Sequence, residues 1–161
     1  MATWQHPVFD RTLDDVRFAE QQIREWKEQS LRGEPVDTYN LKGCLNVIDL
    51  NRIEGDIEYL DALLREYGYY PTVSCREWGT NDVPTEGDVK RILSSVRSIL
   101  AEYHLPEGAS YDLYEMRTYE EVNAVERALY GVERLIEHMI GSFQKSGGFQ
   151  SGAKRMLPVG R

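Results

Sequence analysis

Apolar residues recur at intervals of three and four in four separate stretches of the chain, and this spacing predicts four amphipathic helices. The first stretch runs from about Leu13 to Leu31, and the second runs from about Asp49 to Tyr67. The third lies between Thr85 and about Tyr103, and the fourth begins at Thr118 and continues for roughly 25 residues. The pattern therefore predicts an all-α protein.

The second half of the chain repeats features of the first half at offsets of 73 and 72 residues. Thr12, Thr85 and Thr118 each precede a helix and have an acidic residue three positions later, which is the pattern of a capping box. Asn51 and Asn123 occupy matching positions in the first turn of the second and fourth helices, and we expect them, with the three threonines, to be structural caps of the repeat. We expect each amide to hydrogen-bond the backbone of a neighbouring loop. The alternative is an exposed asparagine without such a partner.

This repeat predicts an antiparallel helical bundle that is built from two duplicated hairpins. The first hairpin covers about residues 12–68 and the second about residues 85–143, both within a body of residues 1–143. Pro71 keeps the aromatic stretch Tyr69–Trp78 out of a helix, so we expect an extended connection there. The glycine-rich, basic residues 144–161 are expected to form a C-terminal arm.

Charge and cysteine content exclude several classes of protein. The net charge is −8, and an acidic surface repels phosphate backbones, so we expect no nucleic-acid partner. Residues 142–161 reverse this charge, with four basic and no acidic side chains. Two cysteines cannot build a disulfide framework, and no Cys/His grouping predicts zinc. We also expect no secretory signal and no membrane-spanning segment.

No constellation of residues predicts catalysis, a cofactor or a metal. Carboxylates cluster on two of the helices, at Glu54, Glu58 and Asp61 and at Glu133 and Glu137. Di-iron bundles use Glu-x-x-His on facing helices, and that motif is absent from this sequence. We therefore expect these acids to form solvated faces that pair with Arg65, Arg134 and other bases. No enzymatic activity is expected.

The aromatic and basic residues outside the helices are the candidate interface. They are Tyr69, Tyr70 and Trp78 in the connection and Phe149, Lys154, Arg155 and Arg161 in the arm. Tyrosine and tryptophan give large contact areas at small entropic cost, which suits interface anchors. Alternatively, the aromatic residues pack onto the bundle and the arm is a solvated terminus.

The stretch Lys42-Gly-Cys-Leu-Asn-Val-Ile-Asp-Leu-Asn-Arg-Ile-Glu54 resembles a family of small proteins and domains of phages and prophages of Gram-positive bacteria. Its pattern is approximately K-G-x-x-N-x-x-D-[LY]-N-R-[IV]-E, followed by an apolar helix. Trp78, Asp82–Thr85 and Glu121–Glu126 also fit the family. This chain departs from it at Ile48, where a polar helix cap is expected, so that Asn46 or Asp49 would have to cap the helix.

The resemblance implies a non-enzymatic phage structural protein, a virion component of the tail or baseplate region. Its partners would be other virion structural proteins and copies of itself, joined by protein–protein interaction. It would be made in the host bacterial cytoplasm and would end up in the virion. The alternative is a soluble phage- or prophage-encoded regulator or inhibitor that binds a host protein through its acidic face.

Overall fold

The computed structural model describes residues 2–103, 111 and 113–146, and for residues 143–146 it describes the backbone alone. Four helices form: α1 (Leu13–Leu31), α2 (Val47–Glu66), α3 (Glu86–Glu102) and α4 (Tyr119–Ser146). The described ranges contain no strand, so the all-α prediction is confirmed for them. Helix α4 continues to Ser146, so residues 144–146, which the sequence analysis assigns to the arm, are helical.

A reciprocal capping box begins each helix: the cap side chain accepts the N–H of the third helical residue, whose carboxylate accepts the N–H of the cap. The pairs are Thr12 with Asp15, Asn46 with Asp49, Thr85 with Asp88 and Thr118 with Glu121. Helix α2 thus begins two residues before its predicted start. As a result, Asn51 and Asn123 lie in the second turns of their helices and do not cap them.

The helices α2, α3 and α4 pack against one another and run in the same direction. Near their N-termini the cross-helix ion pairs are Arg91 with Glu54 (2.5 Å) and Arg52 with Glu126 (2.8 Å). Just past the C-terminal ends of α2 and α3, the rings of Tyr69 and Tyr103 lie 5.6 Å apart. The predicted antiparallel order is therefore wrong for these three helices. The connection from α2 to α3 is long enough to return along a whole helix before α3 begins.

Non-helical segments fill the grooves between these parallel helices. Residues 4–11, which we call the N-terminal strap, lie between α2 and α4, where Gln5 contacts Asp56 and Arg11 contacts Asn123. Residues 71–78, the central strap, lie between α2 and α3. Farther along the chain, Leu113 accepts a hydrogen bond from Arg97 of α3. Each strap runs opposite to the helices beside it and ends near their N-termini.

The core consists of apolar side chains from α2, α3 and α4 together with Trp78, Leu113 and Met116. Ile53, Ile92 and other seam residues are completely buried, as their helical spacing predicts. Helix α1 contributes nothing to this cluster, and only its Ala19 is buried. The apolar face of α1 therefore lies outside the core that α3 and α4, the helices of the predicted second hairpin, form with α2.

The face of α1 is covered instead by a segment that follows it, residues 39–45, which we call the return segment. Tyr39 packs edge-on against Trp26, with ring centroids 5.3 Å apart, and its hydroxyl donates to Gln22. Gly43 lies directly against the backbone of Asp15, because a Cβ at residue 43 would be 2.1 Å from the Asp15 carbonyl oxygen. The helix α1 and the return segment thus form an appendage beside the three-helix core.

Candidate functional site

Two asparagine side chains hold the two straps by their backbones. The Asn51 amide donates to the carbonyl oxygen of Trp78 at 3.0 Å and accepts its N–H at 2.8 Å. The Asn123 amide donates to the carbonyl oxygen of Arg11 at 2.9 Å and accepts its N–H at 3.3 Å. These are the loop-backbone hydrogen bonds that the sequence analysis expects. Each asparagine hydrogen-bonds both the backbone N–H and the backbone carbonyl of one strap residue. This interaction does not depend on the side chain of that residue.

A glutamate one turn after each asparagine binds the same strap. Glu54 accepts the indole N–H of Trp78 at 3.1 Å and pairs with Arg91 of α3. Glu126 accepts the backbone N–H of Val8 and pairs with Arg11. Both carboxylates are almost completely buried. The combination Asn-x-x-Glu therefore forms a strap clamp on α2 and another on α4.

The clamp on α4 belongs to a buried network of four charges. Arg11 lies 2.9 Å from Asp49 and 2.9 Å from Glu126, and Arg52 pairs with the same two carboxylates at 2.5 and 2.8 Å. Two positive and two negative charges make the network neutral, which is the condition under which buried charges are tolerated. Arg11 comes from the strap, so the network is complete only while the strap occupies its groove.

Two further carboxyl groups lie under the N-terminal strap. Asp56, which is 1% exposed, accepts the backbone N–H of Gln5 at 2.8 Å. Burial raises the pKa of Asp56 to about 7, and the nearby Glu126 and Glu133 act in the same direction. Burial, followed by repulsion from Glu137, also raises the pKa of Glu133. Near neutral pH this groove therefore holds a carboxyl group that is close to its titration point.

The expectation of solvated acidic faces is correct for some residues and wrong for others. The half-buried Asp61 pairs with the exposed Arg65, and Glu137 pairs with Arg134 on an exposed surface. Glu54 and Glu133, in contrast, are buried, at 2% and 7% exposed, and Glu54 belongs to the clamp. The spacing in the sequence indicates that Glu54 is buried. A helix turns by about 100° per residue, so Glu54, four positions after Leu50, lies close to the apolar face of α2. The same spacing relates Glu126 to Val122 on α4.

The candidate interface residues have three different environments. Trp78 is 3% exposed and lies under the Arg76 guanidinium, 3.9 Å above its ring, so its ring belongs to the core and is not a surface anchor. Tyr69 is half-buried against Tyr103, whereas Tyr70 is 64% exposed. Phe149, Lys154, Arg155 and Arg161 lie outside the described residues.

Shallow clefts open beside the strap where it meets α1. One cleft, of about 340 Å³, separates the first turns of α1 from those of α4 and is lined by Val16, Leu45, Met116 and Val122, among others. Arg11 also lines this cleft, but its guanidinium is already paired with Asp49 and Glu126. In residues 2–103, 111 and 113–146, no group of three or more histidine, cysteine or carboxylate side chains is placed to hold a metal ion.

Comparison of the chain with protein-family models, with curated proteins and with solved structures finds no match. Within the part of the chain that the structure describes, no helix has the length and apolar content needed to cross a membrane.

Proposed function

We propose that this protein is a non-catalytic structural component of a phage virion, in the tail or baseplate region, where it docks onto neighbouring subunits and copies of itself. The observation that carries this proposal is how the Lys42–Glu54 stretch uses its polar side chains. The charged and amide side chains of this stretch form ion pairs and hydrogen bonds within the chain. This use of polar side chains is typical of a structural protein.

Most polar residues of this stretch contact another part of the chain, and one of them caps the helix that follows. Lys42 pairs with Asp10 at 3.0 Å, and Asn46 caps α2. The remaining members bind a strap or the network beside it: Asp49, Asn51, Arg52 and Glu54. The resemblance to phage and prophage proteins rests on the same residues. It therefore rests on a motif that positions the straps and the appendage.

We also infer that the two halves are copies of one unit, a helix with an Asn-x-x-Glu clamp and a preceding segment. In support, the four aligned positions have equivalent roles at an offset of 72: cap residues 46 and 118, third-position acids 49 and 121, asparagines 51 and 123, and glutamates 54 and 126. The clamps bind crosswise, because α2 holds the strap that leads to α3, while α4 holds the strap that leads to α1.

Mass spectrometry of purified particles tests the proposal directly. The protein should be present in washed virions at a fixed ratio to the other structural proteins. A chain truncated after Ser146 should keep its helical circular dichroism but fail to enter particles. A chain in which residues 147–161 are shuffled is the matched control, because it keeps the length and charge of the arm. Absence of the full-length protein from particles would contradict the proposal.

A further inference from the structure

We propose that residues 2–32, the N-terminal strap with α1, exchange between copies of this chain, so that the α2/α4 groove of one copy receives the strap of another. The proposal rests on the assembly role proposed above and names the partner at the strap groove: a second copy of the same chain.

The first step in the argument is that the groove is unstable when empty. Asp49 and Glu126 are buried and share two arginines, one of which, Arg11, comes from the strap. Without the strap, two carboxylates would compete for Arg52 alone, and Asn123 would lose both of its backbone partners. A buried charge without its partner is strongly destabilising. The groove therefore requires a strap.

The second step is that the groove recognises features that every copy carries. Asp56, Glu126 and Asn123 bind backbone N–H and carbonyl groups of the strap, and Asp49 binds the side chain of Arg11. An aromatic contact adds to these hydrogen bonds, because the ring centroids of Phe9 in the strap and Tyr130 in α4 lie 5.2 Å apart. A strap from a second copy would make the same contacts.

The third step concerns the connection. Residues 33–38, which we call the hinge, join α1 to the rest of the chain, and five of these six are exposed. Gly33 has a φ of +70°, outside helical geometry, and Pro35 cannot continue a helix. Helix α1 contributes no side chain to the core cluster, and Trp4 of the strap packs against that cluster from outside it, a contact that the strap of a second copy would replace. Only the hinge has to change conformation.

Reach and geometry also permit exchange. Helix α1 has 19 residues, and at about 1.5 Å per residue it extends for about 28 Å. If the hinge opened, this helix could carry the strap to a neighbouring bundle. The return segment, with Tyr39 and Gly43, would then receive the α1 of the partner. The strap makes the same contacts with the groove of its own chain and with the groove of a second copy. The local concentration of the protein therefore decides between the two arrangements, and a virion supplies a high local concentration.

Isotope-coded cross-linking of the full chain tests the exchange. Phe9 is replaced by a photo-crosslinking phenylalanine analogue, and equal amounts of ¹⁴N and ¹⁵N chains are refolded together at high concentration. In exchanged dimers, cross-links between the strap and α4 should join different isotopes as often as the same isotope. The same analogue at Phe18, which is 52% exposed on α1, is the control and should give no strap-groove cross-link.

A hinge variant gives a second measurement that does not depend on the probe. Deleting Pro35–Asp37 shortens the hinge, which strains the closed monomer and should raise the ratio of dimer to monomer in light scattering by about tenfold or more. Inserting three glycine or serine residues at the same place should lower it. Same-isotope cross-links alone, together with a monomeric deletion variant, would overturn the exchange. Particle mass spectrometry would still test the proposed function separately.

Discussion

The Asn51 side chain bridges the N–H and the carbonyl oxygen of Trp78, at 2.8 and 3.0 Å, and thereby joins α2 to the segment that leads to α3. Asn123 makes the same pair of hydrogen bonds to Arg11 from α4. Asparagine is a poor residue inside a helix, and here its amide serves the tertiary structure and not the helix that contains it. Each amide therefore fixes the backbone of one strap against the helix beside it.

Replacing either asparagine with alanine should lower the free energy of unfolding by about 1–3 kcal/mol, because two backbone groups lose their hydrogen bonds. Urea denaturation followed by circular dichroism measures the change. Asn81→Ala, at an exposed position, is the control and should change stability by less than about 0.5 kcal/mol. Equal stability of Asn51→Ala and Asn81→Ala would show that the clamp contributes nothing.

Removing one member of the buried charge network should be more costly. Glu126→Ala leaves Arg11 and Arg52 with Asp49 as their carboxylate in the network, and we expect a loss of about 3–5 kcal/mol. Glu137→Ala breaks the exposed pair with Arg134 and should cost at most about 1 kcal/mol. Thermal and urea unfolding of the two variants provide the comparison. A Glu126→Ala protein as stable as Glu137→Ala would contradict the role of the network.

Asp56 should make the protein less stable at higher pH. Its pKa is about 7 in the folded protein, above the ordinary value of 3.8, so folding favours the protonated form. Its contribution to stability is complete below about pH 4 and is lost as the pH rises through about 7. A shift of about three units corresponds to roughly 4 kcal/mol at most.

The measurement for Asp56 is the difference in unfolding free energy between wild type and Asp56→Asn at pH 5 and at pH 8. Asparagine can still accept the Gln5 N–H but carries no charge. The variant should therefore gain stability relative to wild type between the two pH values. Asp61→Asn, at the surface ion pair with Arg65, should show no such gain. A difference that does not change with pH would refute the prediction.

Gly43→Ala should separate the return segment from α1. The added methyl group would be 2.1 Å from the carbonyl oxygen and 2.6 Å from the next amide nitrogen of the α1 backbone, and backbone atoms cannot yield as a side chain can. We expect a loss of about 1–3 kcal/mol and faster amide exchange in α1. Gly141→Ala is the matched control, since a Cβ there meets nothing within 4 Å, and it should stabilise α4 by about 0.5–1 kcal/mol. Equal effects of the two substitutions would contradict the close approach at Gly43.

Signals that act within a few turns of the chain are enough to predict the four helices and their apolar faces. The period of Leu50, Ile53, Ile57 and Leu60 specifies the seam of α2, and the threonine boxes specify where three of the helices begin, because both signals act within a few turns. The hydrogen-bonding role of Asn51 and Asn123 was also predictable, because a residue of low helix propensity at the same position in two helices indicates that its side chain binds something.

The direction of the helices and the burial of individual charges depend on contacts between distant parts of the chain. Short connections predict antiparallel neighbours, but the segment from Tyr69 to Trp78 returns along the bundle and makes α2 and α3 parallel. The spacing from Leu50 places Glu54 towards the apolar face of α2, but only the fold brings Arg91 to it there, whereas Glu58 is exposed. Whether a carboxylate lies in a core depends on which cation the fold brings to it. For Glu126 these cations are Arg52 and Arg11, which lie 74 and 115 positions away in the chain.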